Sequence, residues 1–330
     1  YMKKIFKIIS ITIGFLTLTN NVYADFPDRN LTNIFPWGPG TAMSVSQIVA
    51  DALGEELGVS VPVVSTTGAA GTKAFKTAMS KPADGYTIFD GYVAPLVLQP
   101  VLGNADWTYN DFVPLWGIAS NAFSIVGLPG ETRWSNFEEL VEYAKKNPGK
   151  LRYSPNNRNA LPHMVMSKIF KEFDMVAKPV PYKNQQEALK DMEAGLLDFM
   201  FFNPGHYVQN KDRVNVLLVM SELDGAKETY DGAQNIKDLG VDIGLSGLAP
   251  MGWTWWLVKK GTPEDRVQIL RNALKRALDR ESVQNGIKSL GFVPLMFAPE
   301  DYAKIVGPVG DQLMGMKDAL AWEEEQLAKY

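Results

Sequence analysis

The chain has 330 residues, 46% of them apolar, with 33 Lys and Arg against 37 Asp and Glu, a net charge of −4. That balance, with no basic cluster anywhere along it, offers nothing to a nucleic-acid backbone. The absence of cysteine removes disulfides, thiolate metal sites and cysteine nucleophiles together; with only His163 and His206, histidine metal sites and triads have little to draw on, and the scattered Asp and Glu give no pointer to a paired-carboxylate mechanism.

In chain order, the first feature is an export signal. Lys3, Lys4 and Lys7 precede the apolar run from Ile8 to Leu18, and Val22-Tyr23-Ala24 ends in a small residue. Residues 1–24 are therefore expected to be a cleaved signal peptide, the apolar run being shorter than the ~20 residues needed to cross a bilayer. Removing them takes away three lysines and no acids, which moves the charge to −7 and leaves about 306 residues, enough for two cores. An exported chain without cysteine suits the bacterial periplasm.

Beyond the signal, short β-like runs alternate with helical patterns, which predicts α/β architecture with mainly parallel sheets. Strands are expected at Leu31–Phe35, Val61–Ser65 and Tyr86–Phe89. A helix is expected over Val45–Leu57, with Val45, Ile48, Val49, Ala52, Leu53 and Leu57 on one face and Gly58 as the stop. "TTGAAGTKAF" opens another helix through Met79. The apolar stretch from Leu115 to Leu128 reads as a strand passing from one lobe into a second. A helix then starts at Ser135 with Glu138 as its capping-box partner. Strands at 151–154, 176–180 and 199–203 and helices at 164–173 and 185–194 repeat the earlier layout. "GWTWWLVKKGTPED", from Gly252, reads as the return crossing, with a helix from Thr262-Pro263-Glu264 to about Leu278. A last helix spans 308–329, with Glu323 to Glu325 on a solvated face. The expected organisation is two lobes, 25–122 with 252–330 and 123–251, joined by two hinge strands.

Enzyme signatures are absent: there is no GxSxG elbow and no GxxxxGK[ST] loop, and "GPGTA" at 38–42 lacks the lysine of a nucleotide loop. What remains is a set of glycine-rich or Asn-rich turns, poor in charge, between strands and helices: Pro36 to Met43, Thr67 to Thr72, Asp90 to Ala94 and Pro155 to Leu161. In a parallel sheet such turns gather at one edge, where ligands bind. Helix N-termini there present free N–H groups and a positive dipole end, so a small carboxylate can be held without lysine or arginine.

These segments resemble the periplasmic solute receptors of tripartite tricarboxylate transporters, the Bug receptors. The similarity covers nearly the whole mature chain through "FPWGPGTAMSVSQIVADALGEELG", "GAAGTKAFKTAMSKPADGYTI", "NPGKLRYSPNNRNALPH", "VPYKNQQEALKDMEAGLLDFMF" and "GWTWWLVKKGTPED", in that order. The resemblance implies a two-lobed binding protein of Venus-flytrap type that closes over an organic acid and hands it to a membrane permease, with no cofactor and usually as a monomer. It implicates Gly38, Gly40 and Thr41 with Ala70, Gly71 and Thr72 in holding one carboxylate, faced by the loop Asn156 to Ala160, including Asn159, and by Asn203. Where the family often has an aspartate that meets a ligand amino group, this chain has Met43, with Ser44 beside it, so an acid without an ammonium group is expected.

Arg158, in "PNNRNA", either clamps a distal carboxylate in a bidentate fork or faces solvent. Trp37, Tyr92, Trp253 and Trp255 either wall the cleft or pack in core and hinge. Trp255 and Trp256 point to opposite faces of a strand, so at most one looks into the cleft. His163, at a helix start, reads as a structural cap. Two other functions stay open: an exported enzyme using a Lys or Glu in the same cleft, and a sensory subunit that presents its closed form to a signalling partner.

Overall fold

A computed structural model describes residues 26–240, 243 and 252–330; the expected signal segment 1–24 lies outside them. Two sheets organise the chain. The first has six strands in the order β11-β4-β10-β3-β1-β2, made of β1 (Thr32–Phe35), β2 (Val63–Ser65), β3 (Thr87–Tyr92), β4 (Phe112–Ser120), β10 (Trp253–Lys259) and β11 (Val293–Phe297). The second has five, β7-β6-β8-β5-β9, made of β5 (Phe123–Gly127), β6 (Arg152–Ser154), β7 (Lys178–Pro179), β8 (Phe199–Phe202) and β9 (Asn215–Met220).

Each sheet contains a three-strand parallel block, β2-β1-β3 in one and β7-β6-β8 in the other. The remaining pairings are antiparallel: β10 with β3 and β4, β11 with β4, and β5 with β8 and β9. The sheets are thus mixed, parallel only where strands alternate with helices. The apolar run read as one long strand is two, β4 in the first sheet and β5 in the second, parted by Asn121 and Ala122. The return crossing runs beside it, since Asn121 N–H donates to Gly252 O at 3.3 Å.

The helices are α1 (Thr41–Leu57), α2 (Thr72–Met79), α3 (Gln99–Val101), α4 (Phe137–Lys146), α5 (Leu161–Glu172), α6 (Gln185–Glu193), α7 (Pro204–Gln209), α8 (Asp224–Thr229), α9 (Glu264–Asp279), α10 (Glu281–Ser289), α11 (Tyr302–Val306) and α12 (Val309–Leu327). Both faces of the first sheet are covered. Trp256 and Val258 pack with Val45, Val49 and Leu53 of α1 and Leu270 and Leu274 of α9, while Trp255 and Leu257 join Phe75, Phe89 and Tyr302 on the other side. Strand alternation produces this split. In the second sheet, Phe199 and Phe201 of β8 face one cluster and Met200 and Phe202 another, which accounts for a strand apolar at every position.

Three local expectations are corrected. The N-cap before α4 is Asn136, whose side chain accepts from Glu139 N; Ser135 donates from N and Oγ to Glu139 Oε2, so the capping pair lies one residue further on. α1 begins at Thr41 and α5 at Leu161, four and three residues before the apolar periodicity that suggested them. Glu323 is not on a solvated face: it is 3% exposed, at the end of the buried stripe Val309, Leu313, Met316 and Ala319 of α12. That helix, expected wholly in the first lobe, packs its later turns against α5 of the second sheet.

Candidate functional site

The strands of each parallel block end at a common edge, and the candidate turns start there. In the first half, Ser65 Oγ donates to Trp37 O at 2.7 Å and Thr66 N to Phe35 O at 2.8 Å, which ties the turn after β1 to the turn after β2. Gly71 joins the third turn. Its φ is +89°, and a Cβ there would stand 3.0 Å from Pro95 and 3.3 Å from Pro36, so only glycine lets the three turns meet. Ala69 and Ala70 also have positive φ, 47° and 50°, a conformation that costs an L-residue roughly 1 kcal/mol or more. The turn at 68–71 is therefore held in shape against its own preference.

Trp37, half-buried, meets the edge of Tyr92 with ring centroids 5.9 Å apart, and Tyr92 in turn packs on Phe35. Tyr92 is buried, and burial together with the nearby Asp90 carboxyl pushes its phenol far above the ordinary range. Asp90 itself lies in β3 rather than in a turn, completely buried, with Ser46 Oγ donating at 2.6 Å and Asn33 Nδ2 at 3.3 Å. Burial raises its pKa to about 7, against the opposing effect of those hydrogen bonds. Gly38, Gly40 and Ala70 are exposed at the mouth, Thr41 is half-buried, and Thr72 is buried with its hydroxyl donated to Ala69 O at 3.0 Å.

In the second half, Asn156 and Asn159 have left-handed φ of 72° and 60°, a region asparagine tolerates better than most residues. Tyr182 N donates to Asn156 O at 2.8 Å, joining the turns after β6 and β7. Asn203 caps α7, its side-chain oxygen accepting from Gly205 N at 3.3 Å, while its own N–H reaches Gln185 Oε1, also at 3.3 Å. Gln185 also donates to Phe201 O at 3.4 Å. This buried glutamine fixes the Asn203 turn and escaped the sequence reading; its place as first residue of α6, just after the β7 turn, was the available signal. Arg158 is exposed at its loop tip, and no ion pair joins it to another described residue. Trp253 and Trp255 are 0% exposed and belong to the core, not to a cleft wall.

The two halves touch at this edge where Gly205 lies against Thr41, the first residue of α1. Among the described residues, no hydrogen bond joins the Asn156–Ala160 turn to the first-half turns. A cavity of about 480 Å³ runs along α2 and borders the turn after β2 through Gly68, Ala69 and Thr72, and another of about 260 Å³ lies between Arg29 and Thr87.

The helix starts separate into two groups. α1, α2 and α5, which open from the candidate turns, have neither a side-chain cap nor an acidic residue in the first turn. Every other described helix of eight residues or more carries an acid there: Glu138 and Glu139 in α4, Glu187 in α6, Glu264 and Asp265 in α9, Glu281 in α10 and Asp311 in α12. A first-turn carboxylate answers the free N–H groups and the dipole of a helix, a contribution of about 0.3–1 kcal/mol. The three helices that open from the candidate turns carry no such carboxylate of their own.

Two helix-flanked sheets linked by paired crossings are the fold of a two-lobed periplasmic binding protein. Residues 45–314 match the tripartite tricarboxylate transporter family receptor, TctC, and the chain belongs to that family. It is 26% identical over 287 residues to the UPF0065 protein in the tcbD-tcbE intergenic region of Pseudomonas sp. (strain P51), covering 85% of this chain and 83% of that one. Among solved structures, a TctC solute-binding protein from Polaromonas aligns with a TM-score of 0.74 at 18% identity, over 89% of this chain and 99% of its own. MatC from Rhodopseudomonas palustris, solved with bound malate, aligns with a TM-score of 0.67 at 19% identity, again over 89% and 99%.

Proposed function

We propose that this protein captures a small organic carboxylate, a di- or tricarboxylate or an aromatic acid, in the periplasm and delivers it unchanged to the permease of a tripartite tricarboxylate-type transporter. The observation that carries this reading is that α1, α2 and α5, the helices that open from the candidate turns, start with neither a side-chain cap nor a first-turn acid. The malate bound to the MatC neighbour is of the same chemical class.

In this reading one carboxylate sits between Gly38, Gly40 and Thr41 on one side and Ala70, Gly71 and Thr72 on the other, gripped by main-chain N–H groups. Asn156, Arg158, Asn159 and Asn203 close on it from the second lobe. Trp37 and Tyr92 form an aromatic wall and set how wide an acid is admitted. Residues 1–24 direct export. The lobes, 25–122 with 252–330 and 123–251, pivot on the crossings at Asn121–Ala122 and Gly252. A ligand touching both lobes favours the closed form by its difference in affinity for the two forms, and the permease reads the closed surface.

Native mass spectrometry of the purified mature protein, followed by calorimetric titration with malate, adipate and benzoate, tests the proposal. A retained or titrated acid recovered unaltered is the expected result. A sugar or metal bound tightly with no heat from any acid, or chemical conversion of the acid, would overturn it.

A further inference from the structure

α12 ends its buried stripe with a carboxylate instead of an apolar residue, and that carboxylate has a defined set of partners. Glu323 Oε1 accepts from Tyr153 Oη at 2.5 Å and from Ser167 Oγ at 3.2 Å, and Oε2 lies 2.9 Å from His163 Nε2. The other ring nitrogen, Nδ1, accepts from Asn159 N–H at 2.9 Å. Because Nδ1 accepts a hydrogen bond from the backbone, the ring N–H is on Nε2 and donates to Glu323. Tyr153, Ser167, His163 and Glu323 are all at most 3% exposed, so the three hydrogen bonds at Glu323 are shielded from water.

The direction of this relay gives it meaning. α5 has no side-chain cap of its own, and His163, in its first turn, reaches back to hold the amide of Asn159, whose φ is 60°. The ring is held by a residue 160 positions away in sequence. α12 also reaches the other half: a Cβ on Gly310 would stand 3.7 Å from Val101 and 3.9 Å from Val97, in the segment that follows β3 and Tyr92. One helix therefore contacts both the segment beyond the first-half turns and the base of the Asn156–Ala160 turn.

We infer that Glu323 and His163 are positioning residues for the Asn156–Ala160 turn, which is held in its ligand-presenting shape from the C-terminal helix and not by its own lobe alone. The inference rests on the proposed carboxylate site in assigning that turn to the ligand. Removing the acceptor frees the ring, the ring releases Asn159 N–H, and Arg158 loses its fixed base.

The test compares Glu323→Leu, which removes the acceptor from three donors, with Glu323→Gln, which keeps the shape and one oxygen, in the full mature protein. Amide exchange is read by NMR, and affinity by calorimetry with malate and adipate. The expected result is exchange at Asn159 and Ala160 faster by about tenfold in the Leu variant and less in the Gln variant, with exchange at 36–41 and 68–72 as in the wild type. Acid affinity falls in the same order. Should Glu323→Leu fail to fold, the Gln variant carries the comparison. Unchanged exchange at Asn159, or a uniform rise across the whole protein with affinity intact, would reduce Glu323 to a core contact and overturn the inference. Exchange is measured without ligand, so a wild type that binds neither acid counts against the carboxylate reading while the exchange data still decide this one.

Discussion

Gly205 lies so close to Thr41 that a methyl group on it would stand 2.8 Å from the threonine Cβ and 2.9 Å from its Cγ2. The contact brings the start of α1 to within van der Waals range of the second lobe with no room for a side chain between them. Gly205→Val should hold the lobes apart by a few ångströms. Because both partners belong to otherwise intact lobes, thermal stability should change little while affinity for malate or adipate drops by about tenfold or more, as expected when the closed form is disfavoured by at least 1.4 kcal/mol. Wild-type affinity in this variant would show that closure does not require the contact.

Arg158 is the cation in the Asn156–Ala160 turn. In Arg158→Ala, a dicarboxylate should bind about 10- to 100-fold more weakly, the loss of a charge-assisted pair, while benzoate changes by no more than about twofold. Calorimetry with adipate and benzoate distinguishes the cases, and equal losses would place Arg158 outside the site.

Asp90 predicts a pH dependence. Its pKa rises from an ordinary 3.8 to about 7 on folding, so the native state binds its proton more tightly than the unfolded chain. Stability from this group is full below about pH 4 and is lost as pH rises toward 7. Asp90→Asn removes the titration, and its amide oxygen can still accept from Ser46 and Asn33. The variant should therefore match the wild type near pH 4 and exceed it at pH 8, by on the order of a few kcal/mol. Denaturant titrations at the two pH values measure this; a difference independent of pH would mean that Asp90 does not titrate in this range.

Gly71 holds three turns together. Gly71→Ala places a methyl group against Pro95 and Pro36 at a φ of +89°. It should cost about 2 kcal/mol, a fall in melting temperature of about 3 °C in a chain of this size. Acid affinity should fall with it, because the amides at 38–41 and 70–72 lose their common geometry. Calorimetric melting together with titration would reveal an unaltered site if the turns do not depend on this approach.

Much of the architecture was legible because strand and helix periods are written in apolar spacing. Trp255 and Trp256 fall on opposite faces of β10 as alternation requires, and Gly58 stops α1 in a left-handed conformation. The starts of α1 and α5 were read late because their first turns, "TAMS" and "LPH", do not continue the apolar stripe, although Gly40 and Pro162 mark them. The fate of Glu323 was hidden for a related reason: three consecutive glutamates look solvated, and only the spacing from Val309 through Leu313, Met316 and Ala319 places the first of them inward. At the site, the candidate turns could be located from sequence, but long-range closures, Gln185 to Asn203 within the second half and Thr41 to Gly205 between the halves, depend on tertiary packing, which local pattern does not encode.

The neighbouring positions of Asn121 and Gly252 have a mechanical consequence. A Cβ on Gly252 would stand 2.6 Å from Asn121 Cγ, so both connecting strands turn within the width of two backbones. If the halves pivot there as proposed, a single covalent staple between positions 121 and 252 would restrict the angle without altering any residue of the candidate turns. A molecule locked in this way would still meet its acid through the same amides but could no longer announce the encounter by changing shape, separating recognition from signal in one step.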